Sequence, residues 1–523
     1  MRFRLTYASV LLMIACLGLF CFSPIAAAAT DSAGTITLDI ISVNDFHGAL
    51  AEAGKNPGIA KLATLIKAEM AKNQSGTIIV SAGDMFQGNP DSNMLYGQPV
   101  VAAMNKIGFS AMTTGNHEFD WGQDVLKKLI RQAGFPVIAA NILDKTTGKP
   151  VALVKPYIII ERNGLKIALI GLATPETVFK TNPKHIANCT FSDPVQTVRQ
   201  LVPVLKHKGA DVIIVLSHLG SSVDSTTAQI TGEAAELALG ITGVNAIISG
   251  HSHLQVAGSV NSIPIVQAGY NGRAIGKITL TVAKKDKRVI NAKAAVIAVD
   301  SDRLAAEPEI AAIVNKVQSQ VAPVKDIVLG RSVNELSHDR KTFSLLGQWV
   351  TDIMRRTANA DIAFQNGGGI RTGIPPGSVT MGKLYEVLPF DNTLVTLDLT
   401  GEQILRVLEY GIYNQQIGML QYSGLTVKFD ASLPAGHKIT DVTLSTGERL
   451  NLAKLYRVVT NDFMVQGGDG FTVFSQGVHI TDTGIPLRDC LIDAIKATEN
   501  IYVTPDNRFS ESNGLGAPEK PAA

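Results

Sequence analysis

Five short apolar runs in the first half of the chain constrain its fold more than any other feature. Each ends, within a few residues, in an acid, an amide or a histidine beside a glycine. "TITLDIISVND" leads into Asp45 and His47, and "GTIIVSAGD" ends on Asp84. "IGFSAMTTGNHE" reaches Asn116 and His117, "DVIIVLSH" ends on His218, and "VNAIISGHSH" carries His251 and His253. Short aliphatic and β-branched runs bounded by glycine read as buried strands. Helical patterns lie between them. "GIAKLATLIKAEM" puts Ile59, Leu62, Leu65, Ile66 and Met70 on one helical face. "SDPVQTVRQLVPVLKHKGA" opens with Asp193 at an N-cap and Pro194 at the first helical position, and closes on Gly209. From Thr35 to about Val299 this alternation predicts an α/β domain with both sheet faces covered. In open α/β sheets ligands gather beyond the carboxyl ends of the strands, so the polar residues that end these runs are expected to converge.

Their chemistry suggests what they converge on. Imidazole and carboxylate together suit Zn, Mn, Co or Fe. Asp45, His47, Asp84, Asn116, His218, His251 and His253 are too many for one tetrahedral ion. They suit two divalent metal ions roughly 3.5–4 Å apart that share a carboxylate, the arrangement used in phosphatases. Any one of these residues alone reads equally well as a turn former or a satisfied polar group. The ordered series, each member at a strand end, is what points to a metal site.

Charge excludes one class of partner. A net charge of +2, from 47 basic and 45 acidic residues, gives no clustered positive surface for a nucleic-acid polymer or a polybasic membrane contact. A basic pocket for a small phosphorylated ligand remains compatible with it. The N-terminus reads as an export signal: Arg2 and Arg4, an apolar stretch from Val10 to Phe22, then Pro24 and the small run Ala26 to Ala29. The apolar stretch is shorter than the roughly 20 residues that span a bilayer, so cleavage near Ala29 is expected rather than an anchor, with a lipoprotein at Cys16 as the alternative. The mature protein is then periplasmic or extracellular, a monomer or homodimer. It would keep Cys189 and Cys490, either paired or as two buried thiols.

Around residues 300–335 the pattern changes. "AEPEIAAIVNKVQSQVAPVKD" is a polar-faced helix expected between Pro308 and Pro323, and it reads as an interdomain connector. From about Asn334 a second α/β region begins. "SLLGQWVTDIMRRT" and "TGEQILRVLEYGI" are helical, the latter opening with Thr400 and Gln403 at capping-box spacing. "ADIAFQNGGGIRTG" is a strand running into a glycine turn. The divisions expected are a signal over 1–29, a first domain over 35–300, a linker helix over 301–333, a second domain over 334–510 and a disordered tail over 511–523.

In series, D-x-H, G-D, G-N-H-E, H and G-H-x-H resemble the calcineurin-like metallophosphoesterase signature. The longer forms "NDFHG", "AGDMFQG" and "TTGNHEFDWG" look like the secreted 5'-nucleotidase family, which includes bacterial 5'-nucleotidase/UDP-sugar hydrolases and animal ecto-5'-nucleotidases. "NGGGIR" at 366–371, "LPFDN" at 388–392 and "GGDGF" at 467–471 extend the resemblance over nearly the whole mature chain. It implies a four-layer α/β/β/α metallophosphoesterase sandwich followed by a smaller α/β substrate-binding domain. It also implies one ion on Asp45, His47, Asp84 and His253, and a second on Asp84, Asn116, His218 and His251. His117 and Asp120 match the family's catalytic dyad. Arg340, Asn366, Gly368, Gly369, Arg371, Phe390, Asn392, Phe463 and Asp469 match substrate-binding positions, with Phe390 and Phe463 as a clamp around the base.

The activity implied is hydrolysis of nucleoside 5'-monophosphates, with 2',3'-cyclic phosphodiesterase or UDP-sugar hydrolase as alternatives on the same metals. A binding protein that keeps the fold without the chemistry is disfavoured, because its ligand set would have lost a charged group that is costly to bury. Two departures stand out. Asp391 occupies a position where relatives commonly carry a small residue, and Leu336 sits where a further arginine is expected. Because base and metals are held by different domains, a hinge near residues 320–345 is expected to turn during catalysis.

Overall fold

The computed structural model describes residues 34–511 except 413 and 415. The expected signal with Cys16 and Cys21, and the tail beyond residue 511, lie outside these residues. In the first strand, Thr35–Val43, alternate side chains enter different cores: Leu38 and Ile40 face one way, Ile41 and Val43 the other. A strand buried on both faces needs a continuous apolar run, which explains the composition of these segments.

Two six-stranded sheets result. One runs Val289–Ala298, Ala274–Ala283, Thr35–Val43, Thr77–Ser81, Ala111–Thr113, Val137–Ile138 in spatial order. The other runs Gln255–Val260, Ile263–Ala268, Ala246–Ile248, Val212–Ser217, Leu165–Leu172, Tyr157–Arg162. The strands that carry the polar termini are parallel to one another within each sheet. The sheets pack face to face through Leu38, Ile40, Ile78, Val80, Ile214 and Leu216. The outer face of the first is covered by the helices Gly58–Ala71, Gln98–Ile107 and Gly122–Gln132, and that of the second by Pro194–His207 and Glu233–Gly240. This is the four-layer α/β/β/α sandwich.

The helix Pro308–Lys325 continues two residues past Pro323, and it packs against the first domain. Asp326 closes its last turn through an N–H to Ala322 O bond of 3.0 Å, so a proline there breaks no more than its own bond. Its buried stripe Ile310, Val314, Val317 and Val321 joins the first domain's outer core. The strand Val328–Ser332 that follows pairs with Gly377–Thr380 and Asn500–Ile501.

A five-stranded sheet forms the centre of the second α/β region: Gln421–Ser423, Ile362–Gln365, Leu455–Asn461, Thr393–Thr400, Val478–Pro486. The helices Leu345–Thr357 and Leu487–Thr498 contribute to a core on one side of it. The helix Gly401–Gly411 contributes to the core on the other side and starts in a complete capping box, Thr400 with Gln403. Cys189 and Cys490 are both buried free thiols, and burial pushes the Cys490 thiol up to about 11. Among the described residues no helix is long and apolar enough to cross a membrane.

Candidate active site

The side chains that end the strands do converge. Asp45, His47 and His253 form one group whose candidate ligand atoms lie within 4.8 Å of one another, and Asp84, His218 and His251 form a second. The groups adjoin: Asp45 Oδ1 lies 3.6 Å from His253 Nε2 and 4.0 Å from His218 Nε2. Turning these side chains inward at the strand ends takes an unusual backbone. Asp45, His47, Asp84, His251 and His253 all adopt left-handed φ, between 49° and 77°. For non-glycine residues this costs on the order of 1 kcal/mol or more each and tends to be kept at functional sites. Glycine makes the close approach possible. A Cβ on Gly115 would lie 2.1 Å from Asp84 Oδ1, and one on Gly83 would lie 2.5 Å from Gly115 N.

The donor set fits cations. His47 Nδ1 donates to Gln87 O at 2.9 Å and His218 Nδ1 donates to Ala82 O at 2.7 Å. Each bond engages Nδ1 and leaves Nε2 as the ring nitrogen that faces the site, the position from which a histidine binds metal. His47 Nε2 faces His253 Nε2 at 3.0 Å. His218 Nε2 and Asn116 Oδ1 are buried with no hydrogen-bond partner, although the His218 nitrogen lies 3.0 Å from Asp84 Oδ2. Buried acceptors of this kind are costly unless something satisfies them. Glu176 Oε2 engages His251 Nε2 at 3.0 Å, so Nδ1 is the ring nitrogen that remains for a cation. Burial drives His47 down to about 3, keeping it neutral.

His117 stands beside these groups. Its Nδ1 is 2.6 Å from Asp120 Oδ2, and its backbone N–H donates to Asp84 Oδ1 at 2.9 Å. Burial would lower its pKa, but the charges of Asp120 and Asp84 outweigh burial and raise it. The neighbouring Glu118 points away from the cavity. Its carboxylate accepts from the backbone N–H groups of Asp84, Met85 and Gly115, at 2.8, 2.8 and 2.6 Å. That ties the ends of two adjacent strands together. Burial and the nearby Asp84 charge push Glu118 up to about 7.

The second region closes over the site. Asp84, Asn116, His117, Asp120, His251 and His253 line a cavity of about 1060 Å³ together with Arg340, Asn366, Gly368, Gly369, Arg371, Phe390, Asn392, Phe463 and Asp469. Phe390 stacks on His117 with ring centroids 5.7 Å apart, and Arg371 lies 5.9 Å over the other ring of that pair, Phe390. Arg371 is open to cavity water yet enclosed by protein. Desolvation and the charge of Arg340 bring it down to about 10, still cationic at neutral pH. Asp469 accepts from Asn366 Nδ2 at 2.7 Å and pairs with Lys180 at 3.3 Å. Phe463 lies against Gly468, where a Cβ would come within 2.6 Å of its ring. Asn392 donates to Asp462 at 2.9 Å. Leu336 is fully buried in the second domain's core and does not line the cavity.

Several contributors escaped the reading of the sequence. Glu176, Lys180, Thr181 and Asn182, in "TPETVFKTN", border the cavity. The signal available for them was their place after the strand Leu165–Leu172, but no metal-capable pair or glycine turn marks the segment. Gln87 lies inside "AGDMFQG", but nothing there signals its bonds to His47 and Pro389, and Arg488 and Tyr410 had no local signal.

Residues 38–255 match the calcineurin-like phosphoesterase family, and residues 320–476 match the 5'-nucleotidase C-terminal domain. Among solved structures, the chain is similar to the 5'-nucleotidase precursor from Thermus thermophilus, at 31% identity. The match covers 92% of this chain and 100% of that one, with a TM-score of 0.79. It is similar to the 5'-nucleotidase of Vibrio cholerae serotype O1, 28% identical over 92% of this chain and 93% of that protein. It is also similar to endonuclease YhcR of Bacillus subtilis, 31% identical over 82% of this chain but 37% of that protein. The chain spans 37%, 66% and 34% of the lengths of the first three curated relatives it matches.

Proposed function

The chain belongs to the 5'-nucleotidase family, a calcineurin-like phosphoesterase domain followed by the family's C-terminal domain. From that premise we propose that it is an exported, metal-dependent phosphoester hydrolase that cleaves nucleoside 5'-monophosphates to nucleoside and phosphate. The observation that carries the reading is one cavity lined by Asp84, His251 and His253 from the two donor groups together with Arg371, Phe390 and Phe463 from the second domain.

Asp45, His47, Asp84 and His253 would hold one divalent cation, and Asp84, Asn116, His218 and His251 the other. When bound, such a pair supplies Lewis acidity to the phosphoryl group and to the water that attacks it. The chain's own residues supply the rest. Arg340 and Arg371 hold the phosphate; a guanidinium fork matches its oxygens. His117, oriented by Asp120, faces the phosphoryl oxygens and offsets charge that develops on them, commonly the largest catalytic term. Phe390 and Phe463 grip the base, and Asp469 accepts from the ribose hydroxyls. Ring stacking is tolerant of base identity, so a broad base range is expected.

A second reading, cleavage of 2',3'-cyclic nucleotides or UDP-sugars, has the cavity's size in its favour: about 1060 Å³ lies just above the roughly 300–1,000 Å³ usual for small-ligand sites. The deciding experiment measures phosphate release from AMP, UMP, UDP-glucose and 2',3'-cyclic AMP, with Mn or Zn and with EDTA, adding a phosphatase for ester products. EDTA-sensitive release, highest on AMP or UMP, is expected. Activity confined to the cyclic or sugar substrates would replace this reading with the second, and no activity with both metals bound would end both.

A further inference from the structure

The segment from Thr174 to His185 crosses the cavity wall, and its contacts run in two directions. Toward the donor groups, Glu176 engages His251, and Lys180 O accepts from Asn116 Nδ2 at 3.3 Å, which turns Asn116 Oδ1 the other way. Thr181 Oγ1 donates to Asp120 Oδ1 at 2.8 Å, while Asp120 Oδ2 holds His117 Nδ1. Toward the second domain, Lys180 pairs with Asp469, Asn182 Nδ2 donates to Asp462 Oδ2 at 2.8 Å, and Lys184 N donates to Gln466 Oε1 at 3.2 Å. One short stretch of chain therefore touches the candidate dyad, two candidate ligands and the nucleoside side of the cavity.

We propose that this strap holds the His117–Asp120 pair in its reactive geometry, and that Thr181 is the positioning residue through which it acts. The proposal rests on reading that pair as reactive. Its physical basis is torsional. The carboxylate torsion of an aspartate is soft and roughly two-fold, so one bond to His117 does not fix the plane of Asp120. A second bond to the other oxygen does, and the imidazole follows its partner. Thr181 is 1% exposed and its hydroxyl is committed to this contact. Anchored to Asp462, Asp469 and Gln466, the strap is registered on the second domain. The orientation of His117 thus depends on that domain's docking.

The test uses the full chain loaded with Mn(II). Thr181→Val keeps the shape and removes the donor; Thr181→Ser keeps the donor. With AMP, Thr181→Val is expected to lower kcat about 10- to 100-fold, the range typical of lost outer-shell orientation. KM should stay within about twofold, since ground-state binding is untouched, and metal content should not change. Thr181→Ser should recover most of the loss. Equal kcat for wild type and Thr181→Val, a loss in KM instead of kcat, or failure of Thr181→Ser to recover would overturn the proposal. A second readout does not need turnover and uses the diamagnetic Zn(II)-loaded chain: the downfield proton resonance of His117 Nδ1–H, identified by its absence in His117→Ala. It should shift or broaden in Thr181→Val and return in Thr181→Ser. If the unaltered protein releases no phosphate from any nucleotide, the functional reading fails. The proposal is then judged on the resonance, and an unmoved resonance in Thr181→Val sinks it.

Discussion

At the scale of residues, the site is built from side chains that local rules disfavour. Of the left-handed Asp45, His47, Asp84, His251 and His253, Asp84 is held by its N–H to Glu118, Asp45 and His47 by N–H bonds to Gly83 O and Asp84 O, and His251 by its N–H to the Asp45 carboxylate. His117→Ala is expected to lower kcat by about 10²- to 10³-fold, the usual effect of losing one transition-state electrostatic partner. Bound metal, measured by elemental analysis, should be unchanged, and a parallel loss of metal would reassign His117 to the ligand set. A second expectation concerns stability. His338, whose Nδ1 lies 3.0 Å from Ser344 Oγ, is lowered by burial to about 4. Between that value and the unfolded imidazole's 6.5, the unfolded chain binds the extra proton, so stability falls as pH drops through this window. The shift corresponds to at most about 3 kcal/mol. Thermal melts of wild type and His338→Asn should diverge from pH 6.5 down to pH 4, the variant losing less. Parallel melts would show that His338 titrates normally.

At the scale of elements, the turn that carries Phe390 is held from both domains. Arg488 Nε donates to Leu388 O, and its Nη2 to Phe390 O and to Asp391, each at 3.0 Å, while its guanidinium lies 3.7 Å over Tyr385. The intervening carbonyl, Pro389 O, accepts from Gln87 and Asn93 of the first domain, both at 3.1 Å. The acid at position 391, which borders the cavity, thus has a structural partner in Arg488. Arg488→Met should loosen the Phe390 turn. KM for AMP should then rise by about tenfold, or about 1.4 kcal/mol of lost binding, with kcat changed much less. A fall in kcat alone would show that the turn serves chemistry and not binding. The caps and faces of the helices were legible here, because a cap involves residues three apart: Asp193 with Gln196, Thr400 with Gln403. The two residues that continue the helix past Pro323 were not, because contacts distant in sequence hold them: Lys325 Nζ pairs with Asp91 at 2.7 Å.

At the scale of the molecule, two domains share one cavity, and its donor groups carry buried charge. A cation that binds the folded chain and not the unfolded one stabilises it by mass action, about 2.7 kcal/mol at a hundredfold excess over Kd. EDTA treatment followed by dialysis should therefore lower Tm, and returning Mn or Zn should restore it in a concentration-dependent way. A Tm indifferent to both would argue against resident metal.

The sequence by itself determined the alternation of strands and helices, the capping signals and the placing of acids and histidines at strand ends. These follow from periodicity and turn chemistry within a few residues, and a parallel sheet then brings its strand ends to one edge. Tertiary structure alone decided which groups fix those side chains. Thr181 meets Asp120 across 61 positions, Asn182 meets Asp462 across 280, and Gln87 meets Pro389 across 302. A hydrogen bond depends on where two segments pack in space, and no local pattern in either segment carries that information.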